Sequence, residues 1–366
     1  MWNVLPRWKP IEQFRNRYEW LNGPLFRTFF NSPYTAVINA GLECAMQQYA
    51  EVKAITQGAT SVIGSLIEAC NRGLARNLAD DTTLGKILYN VSPLEMTETE
   101  AQDAKDVLVS NGSFIIHLSE GLPNDAASGR EFSMLKSRGL LIPGVSLIHG
   151  VALKASDFSD MAKASVGFVW SPRSNLELYG QTANVEAAKK NGVIMALAPD
   201  WSTTGSDGLL AELNFAATWN AGLEHPLFDD RTLVQMATTN AAKLVYLDKR
   251  LGSLQEGFLA DVLVLHPTHL VQSNEDAFWA ITHSTPEEVA LVMIDGKPVY
   301  GDSAIMKQLT GIATTLESIE ICGVQKSISF AEEFGDKHTF HETEAMLRAA
   351  LRHWSRTLGP LSDCGV

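Results

Sequence analysis

Short apolar runs alternate with amphipathic stretches along the chain, and that alternation sets the expectation for the fold. Ala59 to Ile63, Lys86 to Val91, Ser113 to His117, Val145 to His149, Val166 to Trp170 and Val193 to Leu197 each read as a strand. Brief, nearly continuous apolar runs of this kind suit a parallel sheet covered by helices on its faces. The stretches between them read as helices. Thr97-Glu98-Thr99-Glu100 opens one with acidic residues in its first turn, where they complement the helix dipole, and Asn111-Gly112 closes it. Others run from Gly129 to Arg138, from Ser156 to Ser165, and from Val185 to Lys190, where Asn191-Gly192 ends the helix. At least six β-α repeats therefore precede residue 205, joined by connections short enough for a barrel or a doubly wound sheet.

The pattern then changes. Helices are expected from Gly208 to Gly222 and from Arg231 to Tyr246, and after them Ala260 to Leu265 and a hairpin over Val289 to Gly301, turning at Asp295-Gly296, form a small β module. The tail from Ile305 onward reads as helical, most clearly over Glu342 to Arg356. The expected organisation is a barrel over residues 1–250, a small β module over 251–302 and a C-terminal helical extension over 303–366.

Composition narrows the partners. The 366 residues are 45% hydrophobic and 19% charged, ordinary for a chain that buries a large core. Lys and Arg number 29 against 42 for Asp and Glu, a formal charge of −13 that repels phosphate backbones and anionic lipid. No apolar run approaches the roughly 18–20 residues that span a bilayer, and the N-terminus has no apolar segment of a secretory signal. A small-molecule partner is expected, with neither nucleic acid nor membrane. Cys44, Cys70, Cys322 and Cys364 show no paired-ligand spacing and are expected to be buried or incidental thiols, which places the chain in the cytoplasm.

Three residues able to bind a metal stand at the ends of apolar runs: His117, His149 and Asp200. A parallel barrel gathers the C-terminal ends of its strands into one concave face, and two imidazoles with a carboxylate are a donor set that Zn2+ or Fe2+ accepts. Glu120 follows His117 by three residues and leans over the same mouth, where a shielded carboxyl can carry protons. Ser171-Pro172-Arg173-Ser174-Asn175 lies at another strand end.

In chain order, Phe114 to Glu120, Ser146 to Gly150, Ser171 to Asn175, Ala198 to Ser202, and Gly252 to Gly257 with Ala260-Asp261 resemble the amidohydrolase superfamily. The branch most like them holds triazine hydrolases, chlorohydrolases and nucleobase or nucleoside deaminases, and the likeness runs from about residue 10 to 300. The resemblance implies an α/β fold of the (β/α)8 TIM-barrel type with a remnant small β module. It implies one divalent metal ion, Zn2+ or Fe2+, with ligands His117 and Asp200 and with His149 as a further ligand or a partner of metal-bound water. Glu120 is expected to carry a proton to the leaving nitrogen and Asp200 to take one from the attacking water, while Asn175, Arg173 and Trp201 contact substrate. In that family the first strand ends in His-x-His. No such pair occurs in the 366 residues, and Met1 to Pro6 resembles the stretch directly after it, so the barrel is expected to be incomplete, its first strand missing.

The expected function is metal-dependent hydrolysis of C–N bonds other than peptide bonds, deaminating or hydrolysing a small cyclic or amide-like molecule. A homo-oligomer is expected at the level of the family. The alternative is a catalytically inactive barrel of the same build with a binding or assembly role, and bound metal separates the two.

Overall fold

A computed structural model describes residues 4–64, 70, 74–79, 82–269, 271–310, 315–330 and 338–364. Met1, Trp2 and Asn3, the start of the stretch matched to the segment after the His-x-His pair, lie outside the described residues. The parallel strands expected from the apolar runs form. β1 (Ser61–Val62) and β2 (Arg76–Asn77) pair with each other. β3 (Ile87–Asn90), β4 (Ser113–Leu118), β5 (Val145–His149), β6 (Gly167–Trp170) and β7 (Met195–Leu197) make a five-stranded parallel sheet in that order. Sequential order with an intervening helix at each step is the geometry of a (β/α) barrel wall.

Local chemistry explains the repeats. The helix Glu98–Val109 begins at a capping box in which the Thr97 hydroxyl accepts from the Glu100 N–H and the Glu100 carboxylate accepts from Thr97. It ends where Asn111 turns into the left-handed region, which sends Gly112 and then β4 back toward the sheet. Asp125 caps the helix Ala126–Ser137 through the Ser128 N–H. Register places Leu118 beside His149, so β4 and β5 end level with each other. Phe168, Trp170 and Leu147 are fully buried, with Trp170 edge-on to Trp219 and Phe158 edge-on to Phe168. Rings packed this way gain about 0.5–1.5 kcal/mol beyond simple burial, which fixes the strands against the outer helices.

The second sheet is larger than the β module expected over residues 251–302. β8 (Val262–Leu265), β9 (Val289–Ile294) and β10 (Lys297–Asp302) are joined by β11 (Glu317–Ile321) and β12 (Val324–Ile328), antiparallel in the order β11-β12-β10-β9-β8. The boundary drawn at residue 302 therefore runs through the sheet, and the extension over 303–366 is not wholly helical. Its helices among the described residues are Ser303–Thr310 and Phe340–Arg352. The Arg76 guanidinium grips Asp261 with two hydrogen bonds of 2.9 and 2.8 Å, tying β2 to the entry of β8.

One further finding departs from expectation. The cysteines are paired, Cys44 with Cys70 and Cys322 with Cys364, so the reading of them as incidental thiols is corrected. The N-terminal region is helical, with helices Arg17–Leu21, Pro24–Phe26, Ser32–Asn39 and Glu43–Thr56 laid against the barrel. Among the described residues no helix is long and apolar enough to cross a membrane.

Candidate metal centre

The ends of β4 and β5 carry the site. His117 is the penultimate residue of β4, and Ser119 just beyond it adopts φ +53°. His149 ends β5 at φ +70°, a backbone region sparsely used by residues other than glycine. Two such turns at adjacent strand ends direct the following loops across the mouth. Glu120 sits in the loop after β4, only 2% exposed.

Three donor atoms converge there. His117 Nδ1 lies 3.2 Å from Glu120 Oε2 and 3.1 Å from His149 Nε2, and His149 Nε2 lies 3.5 Å from Glu120 Oε2. Four ligands placed tetrahedrally at the 2.0–2.1 Å bond length of zinc stand roughly 3.3 Å apart. The observed triangle thus has the dimensions of one face of that tetrahedron, and the donor set fits a divalent metal. Among the described residues it is the group of three or more potential ligands whose atoms all lie within 4.8 Å of one another.

The surroundings fix the donors. His149 Nδ1 lies 2.9 Å from Asn175 Oδ1, an acceptor, so Nδ1 carries the proton and Nε2 presents its lone pair to the centre. Asn175 is fully buried, and its amide donates to the His149 carbonyl and to Thr182 Oγ1 at 3.3 Å each. The Tyr179 hydroxyl donates to Glu120 Oε1 at 2.7 Å and accepts from Trp20 Nε1 at 3.1 Å. The buried Arg17 guanidinium stands 3.4 Å from Glu120 Oε2. It is seated by main-chain contacts, Arg17 N to Glu120 O and Leu122 N to Arg15 O. A side chain at Gly121 would meet Arg15 O and the Asn16 Cα at 2.7 Å, so glycine is what lets this segment dock.

Electrostatics follow from burial. Desolvation lowers the His117 imidazole, keeping it neutral as a metal ligand must be. Desolvation alone would raise Glu120, but the neighbouring His149 ring, the Arg17 guanidinium and the hydrogen bond with His117 outweigh it and hold the carboxyl well below the usual range. Burial pushes Glu131 up to about 7, against hydrogen bonds from Tyr18 and the Ser119 N–H.

Asp200, Arg173 and Trp201 are the other residues expected at the site. Asp200 follows β7, two strands along the sheet from β5, and lies outside the three-atom group; its Oδ1 accepts from the Trp201 N–H at 2.8 Å. The Arg173 guanidinium lies over the Phe215 ring at 5.1 Å and 3.5 Å from Glu177. Trp201 packs among Trp20, Phe26, Phe30 and Tyr34. Sequence reasoning missed Arg17, Tyr179 and Trp20. Their only signal is polarity in otherwise unpatterned segments, which does not single them out.

A parallel β-α barrel wall with imidazole and carboxylate donors at its strand ends defines the class: metal-site barrels of the amidohydrolase type. The model of the amidohydrolase family matches residues 109–299, just over half of the chain, and the chain belongs to that family. It is similar to a 5-methylthioadenosine/S-adenosylhomocysteine deaminase of Acetivibrio thermocellus, 26% identical over 222 residues that cover 58% of this chain and 50% of that protein. The enzyme of the same description from Teredinibacter turnerae is 32% identical over 159 residues, covering 41% of this chain and 36% of its own length. The chain spans about half the length of the first of these relatives, and less of the second. Among solved structures, a zinc-bound adenosine deaminase of Xanthomonas campestris superposes with a TM-score of 0.64 at 16% identity, covering 95% of this chain and 81% of that one. A mutant atrazine chlorohydrolase of Arthrobacter aurescens with zinc and atraton gives 0.62 at 17% identity, covering 81% and 82%. These two show a shared fold.

Proposed function

We propose that the chain is a metal-dependent hydrolase of C–N bonds other than peptide bonds, acting on a small cyclic or amide-like molecule and most plainly as a deaminase. One observation carries the reading: three donor atoms at the level ends of β4 and β5 form a triangle sized for a divalent metal. Membership of the amidohydrolase family and the deaminase descriptions of its relatives support it. Zinc is the favoured ion, because imidazole and carboxylate donors suit it and the similar structures named above hold it.

When bound, the ion would supply Lewis-acid and water-activating chemistry. The chain's own residues do the rest. His117 Nδ1 and His149 Nε2 face the centre, and Asn175 keeps the His149 lone pair there. Glu120 and Asp200 are the carboxylates at hand, one to complete the coordination and one to move protons between water and the leaving nitrogen. The sequence reading gives Asp200 both the metal and the proton of the attacking water, and gives Glu120 the proton for the leaving nitrogen. Arg173, Asn175 and Trp201 are proposed to border the substrate through their loops. A homo-oligomer is proposed on the family resemblance. The two disulfides favour a compartment that keeps thiols oxidised over the cytoplasm expected from the sequence.

The test is release of ammonia from a panel of aminated purines, pyrimidines and triazines by zinc-loaded protein, with and without a chelator. Turnover that disappears with the chelator and returns with zinc is expected. Binding of panel members without any hydrolysis, in protein that retains its zinc, would favour the inactive barrel.

A further inference from the structure

We propose that the Cys322–Cys364 disulfide is a latch operated by dithiols. It holds the segment 357–364 against the loop after β7, and its reduction frees the end of that segment and loosens the loop. The proposal goes beyond the function put forward above and does not rest on it.

The segment leads from the helix Phe340–Arg352 back to the barrel, and its two ends are held unequally. At the near end Leu358 is buried, the Gly359 N–H donates to the Val4 carbonyl at 2.8 Å, and the Tyr49 hydroxyl donates to the Gly359 carbonyl at 2.6 Å. A side chain at Gly359 would run into the Leu5 carbonyl, so glycine lets the two strands of chain pass here. At the far end Leu361, Ser362 and Asp363 are half-buried and Cys364 is exposed. The Asp363 N–H donates to Asp207 Oδ2 at 2.7 Å, and Arg7 Nη1 stands 3.8 Å from Asp363 Oδ2. Two carboxylates face each other at this contact, and burial with the charge of Asp207 pushes the Asp363 carboxyl up. One hydrogen bond, one long ion pair and a half-covered leucine do not offset the entropy of ordering these residues. The bond to Cys322, in the turn between β11 and β12, is what keeps them in place.

The loop on the other side of the contact carries Asp200 and Trp201. Asp207, near its end, is buried, with Oδ1 held by the buried Lys53 Nζ at 2.8 Å and Oδ2 by the Asp363 N–H. Release of Asp363 therefore removes one of the two holds on Asp207 found among the described residues. The chemistry favours this disulfide over the other, because Cys364 is exposed while Cys44, Cys70 and Cys322 are half-buried. A thiolate of the dithiol attacks the Cys364 sulfur, the S–S bond breaks, and Cys322 leaves as a thiolate that takes up a proton. The second thiol then attacks the mixed disulfide, which releases Cys364 as a thiol and leaves the reagent as a cyclic disulfide. Two electrons pass from the dithiol to the cysteine pair.

The experiment is amide hydrogen exchange, read by mass spectrometry, on the full-length chain before and after limiting dithiothreitol and on untreated Cys364→Ser. Alkylation with iodoacetamide and peptide mapping identify which cysteines were reduced. Cys322 and Cys364 are expected to be alkylated before Cys44 and Cys70. Exchange is expected to rise about tenfold or more over 361–364 and several-fold over 201–208, while β4 keeps its protection. Cys364→Ser is expected to show the same two rises without reductant. Unchanged exchange over 201–208 in the reduced chain overturns the proposal, whether or not 361–364 is freed. Exchange that rises in β4 as well overturns it too, since the bond is then a staple of the whole fold. Reduction of Cys44–Cys70 first also overturns it. Should Cys364→Ser fail to fold, the reduced parent gives the same reading alone.

Discussion

Asn175 offers the sharpest separation between a residue that merely packs and one that tunes the centre. Truncation in Asn175→Ala removes the 2.9 Å partner of His149 Nδ1 and both 3.3 Å donations from the amide. Thr182 keeps its hydrogen bond from Trp170 Nε1 at 2.8 Å, so it is not orphaned. The His149 N–H is, because the ring is 1% exposed and water does not replace the acceptor. A buried unpaired donor costs about 1–3 kcal/mol, which a chemical denaturation midpoint registers. The ring also loses what fixes its tautomer, and loss of such an outer partner lowers metal affinity about 10- to 100-fold. Asn175→Asp is the control: a carboxylate accepts from Nδ1–H at least as well as the amide oxygen does, so zinc affinity is expected to be retained even where stability falls. The assay is zinc competition beside denaturation for both variants. Asn175→Ala binding zinc as tightly as the parent, at whatever stability, would refute the account of His149.

Two further outcomes follow from the fold. Burial pushes Glu51 up to about 7 from an ordinary 4.5, against hydrogen bonds from Gln47 and the Ala75 N–H. Between those pH values the folded chain holds a proton that the unfolded chain releases, so the stabilisation is full below about 4.5 and is lost as the pH rises through 7. Glu51→Gln is expected to flatten that part of the stability profile and to gain up to about 3 kcal/mol at pH 8, where an unchanged slope would contradict the assignment. Replacing Cys322 with serine opens a link across 42 residues and is expected to cost about 2–5 kcal/mol in a denaturant melt. Thiol titration of the unfolded, non-reduced chain is expected to find no free cysteine, and a full complement of free thiols would undo the pairing.

How far the fold could be read from the sequence depended on which residues face what. β4 and β5 were legible because unbroken apolar runs end abruptly in His117-Leu118-Ser119 and His149-Gly150, and a strand buried on both faces leaves that trace. The helix Glu43–Thr56 left none. Gln47, Gln48, Glu51 and Lys53 are buried on it and satisfied by partners such as Ala75 and Asp207, so polar letters that usually mark a solvent face lie inside. β11 and β12 were read as helix although Ser318-Ile319-Glu320-Ile321 alternates with period two. Their turn is Cys322-Gly323 in the left-handed region, where Asn-Gly or Asp-Gly is the usual sign. Four cysteines allow three pairings, and scattered spacing chooses none. At the site, the order of motifs brings His117, Glu120 and His149 to one mouth, but a motif carries no side-chain direction. The clamp of Tyr179, Trp20 and Arg17 on Glu120 arises between segments up to 159 residues apart and has no local signature.

The most direct measurement is zinc-edge anomalous diffraction from crystals of the zinc-loaded full-length chain. The account predicts one peak at the ends of β4 and β5, with His117 Nδ1 and His149 Nε2 about 2.0–2.1 Å from it. A strong peak elsewhere with none between these two imidazoles would contradict it.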